Sequence, residues 1–102
     1  MKVWLDDVRP KPDEFDIWIT NAATAINVIR TGGVTVISLD HDLGDPDAKT
    51  GYDVACVIEE GAYRGTIPPM EILVHSANPV GRKNIDACVQ KCKKYWARHY
   101  AT

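Results

Sequence analysis

Short apolar runs punctuate the chain, and three of them stop abruptly at clusters of acidic, histidine or hydroxyl residues. Lys2-Val3-Trp4-Leu5 reads as a buried strand that ends in Asp6-Asp7-Val8-Arg9-Pro10. Pro10 and Pro12 remove backbone donors and restrict their neighbours, so no helix is expected there. A second strand is predicted over Asp16–Thr20. Thr20 or Asn21 can then cap a helix that carries Ala22, Ile26 and Ile29 on one face and stops at Gly32-Gly33. Val34–Leu39 is β-branched and almost continuously apolar, as a strand inside a parallel sheet should be. It breaks into Asp40-His41-Asp42-Leu43-Gly44. A second helix opens near Thr50-Gly51, with Val54, Val57 and Ile58 at core spacing, and ends near Gly61 or Gly65. Glu71–Val74 is the fourth strand and runs into His75-Ser76-Ala77-Asn78. Asn78-Pro79 reads as a cap and first-turn pair. The helix that follows places Ile85, Cys88, Val89, Cys92, Tyr95 and Trp96 along one stripe.

Strands separated by helices form a parallel sheet, because a parallel return requires a crossover. The pattern predicts a single α/β domain over residues 1–102, with four parallel strands in the order 2-1-3-4, about three helices, and helices on both faces. In such a sheet the carboxyl ends of all strands share one rim, and ligands bind there where the strand order reverses. The strand-end clusters around residues 6, 40 and 75 are therefore expected to converge.

Composition narrows the classes. The 102 residues are 45% hydrophobic and 25% charged, as in an ordinary globular domain. No apolar run approaches the roughly 20 residues of a membrane helix. The N-terminus turns acidic too early for a secretory h-region, so a cytoplasmic protein is expected. A formal charge of −2 argues against strong non-specific nucleic-acid binding. Cys56, Cys88 and Cys92 lack metal-finger spacing, and two cysteines four apart on a helix read as core residues.

At the rim the candidate chemistry is specific. Asp6, Asp7 and Asp40 are an oxygen-only set suited to Mg²⁺ or Mn²⁺, because crowded carboxylates either gain protons or share a cation. For any single aspartate the plainer role is a turn cap. His41 and His75 can exchange protons near neutral pH, with Asp42 placed to orient one of them. Arg9, Ser76, Asn78 and Arg82, with the free N–H groups opening the last helix, could cradle phosphate; Arg9 could equally pair with Asp6 or Asp7. His99 and the Lys91, Lys93 and Lys94 face are expected at the surface.

These residues resemble a known pattern. Asp6-Asp7, Asp40 and Ser76 match the acidic pair, acceptor aspartate and sensor hydroxyl of response-regulator receiver domains, although the first helix is missing and no fifth strand bearing the receiver lysine follows. "WLDDVRP", "ISLDHDLG" and "VHSANPVG" resemble, more closely, the cyclic-phosphate-processing receiver-like domains. That resemblance implies a truncated receiver- or flavodoxin-like three-layer sandwich. It also implies a phosphoesterase for cyclic phosphates, with a nucleotide or an RNA end bearing a 2′,3′-cyclic phosphate as partner. A non-enzymatic phospho-switch with Asp40 as acceptor, and a nucleotide-sequestering module, are the alternatives.

Overall fold

The computed structural model describes residues 1–44 and 48–100. Its elements run β1 (Lys2–Leu5), β2 (Ile17–Ile19), α1 (Ala22–Thr31), β3 (Val36–Leu39), α2 (Gly51–Arg64), β4 (Glu71–Val74) and α3 (Pro79–Tyr100). All strand pairs are parallel and the order is β2-β1-β3-β4, as predicted. None of the described helices is long and apolar enough to cross a membrane.

The helix ends follow from side-chain chemistry. The Asn21 side chain accepts the Thr24 N–H at the start of α1. Thr50 and Asp53 form a reciprocal capping box on α2, and left-handed Gly65 ends that helix. Asn78 Oδ1 accepts the Gly81 N–H at 3.0 Å, so α3 opens with Pro79 in its first position.

Strand alternation divides the sheet into two unlike faces. Val3, Leu5, Ile19, Ile37 and Leu39 join one core with Ala25, Ile26 and Ile29 of α1, Val54 and Ile58 of α2, and Ile85, Cys88, Cys92 and Trp96 of α3. All three helices therefore cover the same face. The two helical crossovers run in the same direction across the sheet, and right-handed connections in one direction fall on one side.

Only the step from β1 back to β2 runs the other way, and it is made by a loop. The helix expected on the second face is thus replaced by that loop, whose Phe15 is buried edge-on against Trp4 with ring centroids 5.1 Å apart. Beyond it the second face is bare in places: Trp18 is 42% exposed and Leu73 is 40% exposed.

The cysteines belong to the core, as their spacing predicted. All three are free, and burial first of all pushes the Cys88 and Cys92 thiols up to about 12, so they remain protonated and inert. His99 is exposed, with its Nε2 against the Tyr63 carbonyl oxygen at 2.7 Å.

If the loop acts as the missing layer, Phe15→Ala destabilises the domain by about 3 kcal/mol, the usual size for a large aromatic truncated in a packed site. Chemical denaturation followed by helical circular dichroism measures this. Wild-type stability in the variant would mean that the loop contributes no layer.

Candidate functional site

Parallel register builds the site. Leu5, Leu39 and Val74 are aligned across β1, β3 and β4. The ladder then continues one residue further. Asp6 N donates to Ile19 O, Asp40 N to Leu5 O and His75 N to Leu39 O, each at 3.1 Å. Asp6, Asp40 and His75 are thus fixed in a row, one residue beyond the core positions and so on the face opposite the helices.

Asp6 is buried and both of its oxygens are used. Oδ1 accepts the N–H groups of Val8 and Arg9 at 2.8 Å each, so the turn-cap role foreseen for a lone aspartate is real. Oδ2 meets His75 Nε2 at 3.0 Å. On the far side of that ring, Nδ1 lies 2.7 Å from Ser38 Oγ. The imidazole stacks on Trp4, with centroids 3.7 Å apart and planes 9° from parallel. The network assigns the tautomer: Nε2 carries the proton toward the carboxylate, and Nδ1 accepts from the serine hydroxyl.

Burial pushes the Asp6 carboxyl up, but the two backbone N–H bonds and His75 outweigh it and hold the group below the usual carboxylate value. For His75 burial wins over the pull of Asp6 and Asp40, and its pKa lies below the ordinary 6.5. The pair is therefore a neutral imidazole donating to an ionised carboxylate at neutral pH. Asp40 shifts the other way. Burial and then the nearby Asp6 charge raise its pKa, against opposing contributions from His75, the His41 N–H and Ser76.

One oxygen from each of Asp6, Asp7 and Asp40 lies within 4.8 Å of the others. This is the trio expected from the sequence, and the residues fit a hard divalent cation: the donors are all oxygen, and Asp40 is a carboxylate whose ionisation is opposed by its neighbour.

His41 stands apart from His75 in its partners. Its Nδ1 meets Asp42 Oδ1 at 2.9 Å, and Nε2 has no hydrogen-bond partner among the described residues. The His41 bond is the main influence holding Asp42 below the usual carboxylate value, although that side chain is largely exposed. Asn78 Nδ2 reaches Asp42 Oδ2 at 3.4 Å, and the Asn78 N–H donates to buried Ser76 Oγ at 3.1 Å. A chain of short contacts thus runs from His41 through Asp42 and Asn78 to Ser76, beside Asp40.

Two glycines allow that approach. A Cβ at Gly51 would lie 1.9 Å from Asp40 O, and one at Gly81 would lie 2.3 Å from His41 Cγ. The first turns of α2 and α3 therefore close directly onto the segment following β3.

Arg9 does reach across the rim, but through its donor geometry and not as an ion pair: Nη1 donates to the His75 carbonyl oxygen at 2.8 Å. Among the described residues it makes no ion pair with Asp6 or Asp7. Arg82 is exposed in the first turn of α3. Asn78 spends its amide on the helix cap and on Asp42, so both of its polar atoms are already engaged. The loop after Gly44 that the sequence places near this rim lies partly outside the described residues.

Ser38 and Trp4, which hold the His75 ring, and Trp18, whose Nε1 donates to the Asp6 carbonyl oxygen, were not foreseen as neighbours of the site. Ser38 carried a signal, a hydroxyl within an otherwise apolar strand end. Trp4 and Trp18 carried none beyond their strand positions.

A family description of a cyclic-phosphate processing receiver domain matches residues 1–91. The chain belongs to that family. No curated protein and no solved structure matches this receiver domain. The family assignment agrees with the observed fold, a four-stranded parallel sheet in the order 2-1-3-4 with three helices.

The electrostatics give two measurable consequences for the receiver domain in chelator. A histidine held below 6.5 favours the folded state fully above that pH, and the contribution is lost as pH falls below it. The melting temperature therefore drops between pH 7.5 and 6, and His75→Gln flattens the slope. A carboxyl with a raised pKa destabilises the fold when ionised, so Asp40→Asn raises the melting temperature at pH 7.5 by a few degrees. A lower melting temperature would mean that the hydrogen bonds to Asp40 outweigh its repulsion by Asp6.

Proposed function

We propose that this receiver domain is a phosphoesterase that hydrolyses a cyclic phosphodiester at the rim formed by Asp6, Asp40, His41 and His75. The observation that carries this reading is the pairing of an all-carboxylate trio with an Asp42–His41 couple on one sheet edge. The family's description as cyclic-phosphate processing supports it.

Asp6, Asp7 and Asp40 would hold a divalent cation, Mg²⁺ or Mn²⁺, which when bound supplies Lewis-acid polarisation of a phosphoryl oxygen. The chain's own groups do the remaining work. Water adds to phosphorus as one ring P–O bond breaks. His41, oriented through Nδ1 by Asp42, takes the water proton on Nε2, and the leaving sugar oxygen takes a proton from solvent. The product is an acyclic phosphate monoester.

His75 has both ring nitrogens engaged, with Ser38 and Asp6. In this reading it is a positioning residue that fixes Asp6, and the proton transfer falls to His41. Arg9, exposed beside the His75 carbonyl, and Arg82, at the opening of α3, are the cations available to phosphate oxygens. Ser76 lies on the same edge, whereas the Gly81 and Arg82 N–H groups expected to cradle phosphate are already taken by the Asn78 side chain and carbonyl.

Incubation with 2′,3′-cyclic nucleotides and other cyclic phosphates, with and without Mg²⁺ or Mn²⁺, tests the reading by phosphate-ester product formation. Hydrolysis that needs the cation, and falls about a hundredfold or more in His41→Ala, is the expected outcome. A stable acyl phosphate on Asp40 after treatment with a small phosphodonor, without turnover of any cyclic phosphate, would instead make the domain a phospho-switch.

A further inference from the structure

Trp18 has no part in the proton transfer or the acidic trio, yet its indole touches the backbone of Asp6. It pairs with Trp4 in the sheet register and lies on the helix-free face, where 42% of it is exposed. Its one polar atom is satisfied within the protein: Nε1 donates to the Asp6 carbonyl oxygen at 2.7 Å. What remains exposed is bare aromatic surface.

The same bond ties the indole to a residue of the acidic trio. The ring is held at two points, by the strand backbone and by its tip, so it is ordered before any ligand arrives. Trp18 is paired with Trp4, two residues before Asp6, and its indole leans along the strand until Nε1 meets the Asp6 carbonyl oxygen, which places the ring at the rim within reach of a single nucleotide. A fixed, exposed indole beside a phosphate site matches the stacking platforms that bind nucleobases, which tolerate any base because each has a π-face.

We infer that Trp18 stacks against the base of the substrate, so that the site takes a nucleoside cyclic phosphate in preference to a cyclic phosphate without an aromatic ring. This rests on the phosphoesterase reading for the identity of the reacting group, while the stacking itself does not.

The test compares kcat/KM for adenosine 2′,3′-cyclic phosphate with that for base-free 1-O-methylribose 2,3-cyclic phosphate. The wild type favours the nucleoside by about tenfold or more. Trp18→Ala brings the ratio close to one, and Trp18→Phe, which keeps a ring but loses the bond to Asp6, retains most of it. Because the ratio is taken within each variant, any general disturbance of Asp6 cancels.

Quenching of indole fluorescence by adenosine 2′,3′-cyclic phosphate gives a second readout that needs no turnover. Quenching in the wild type that disappears in Trp18→Phe supports the platform. An unchanged substrate ratio in Trp18→Ala, or quenching of undiminished size in Trp18→Phe, overturns it. Trp18-dependent quenching without hydrolysis of either compound would leave a nucleotide-binding surface and sink the phosphoesterase reading. Hydrolysis with no base preference would do the reverse.

Discussion

The site depends on backbone register. Leu5 and Leu39 sit side by side with Val74 beyond them, and three further ladder bonds carry the alignment on to Asp6, Asp40 and His75. Once the core leucines choose their face, the next residue of every strand must point to the other. A slip of one residue in any strand would expose that strand's share of the core and remove one functional group from the row. The hydrophobic energy that fixes the core therefore also fixes the chemistry, although none of the site groups needs to contribute stability of its own.

At least one of them opposes stability. Asp40 lies close enough to Asp6 for its ionisation to be resisted, on top of the penalty of burial. Asp6 escapes the same fate because two backbone N–H groups and His75 hold its charge. The two aspartates are thus unequal: one is anchored and ionised, the other is the group whose charge calls for a partner. A cation between them would relieve the repulsion, which is why the trio could hold one. Such local conflict is common where a site is kept for chemistry and the rest of the fold supplies the stability.

Much of this was legible in the residues. Strand order, helix boundaries and the convergence of the Asp6, Asp40 and His75 segments follow from apolar runs, capping residues and the rule that parallel strands share a rim. The layering was not, because the pattern of Ala22, Ile26 and Ile29 shows that α1 has a buried face but not which side of the sheet it meets. That is settled by the direction of successive crossovers, and the only reversal among the described residues lies in the proline-bearing segment that cannot form a helix. The different partners of the two histidines were also hidden. Nothing in "VHSA" announces that His75 turns back over Trp4 and Ser38, whereas the adjacency of His41 and Asp42 could be read directly.

The one-sided packing has a consequence for what can bind. In a sheet clothed by helices on both faces, a ligand at the rim is confined to the crevice between the loops. Here the row formed by Asp6, Asp40 and His75 faces away from α1, α2 and α3, and the covering loop reaches Trp4 through Phe15 but leaves Trp18 open. The surface around the acidic trio therefore continues from the rim onto the sheet. On the proposed reading, a phosphate at this edge would have the uncovered Trp18 indole nearby, and that indole is hydrogen-bonded to the same Asp6 whose side chain belongs to the trio. On that reading, recognition of the reacting group and of what is attached to it would be joined through Asp6.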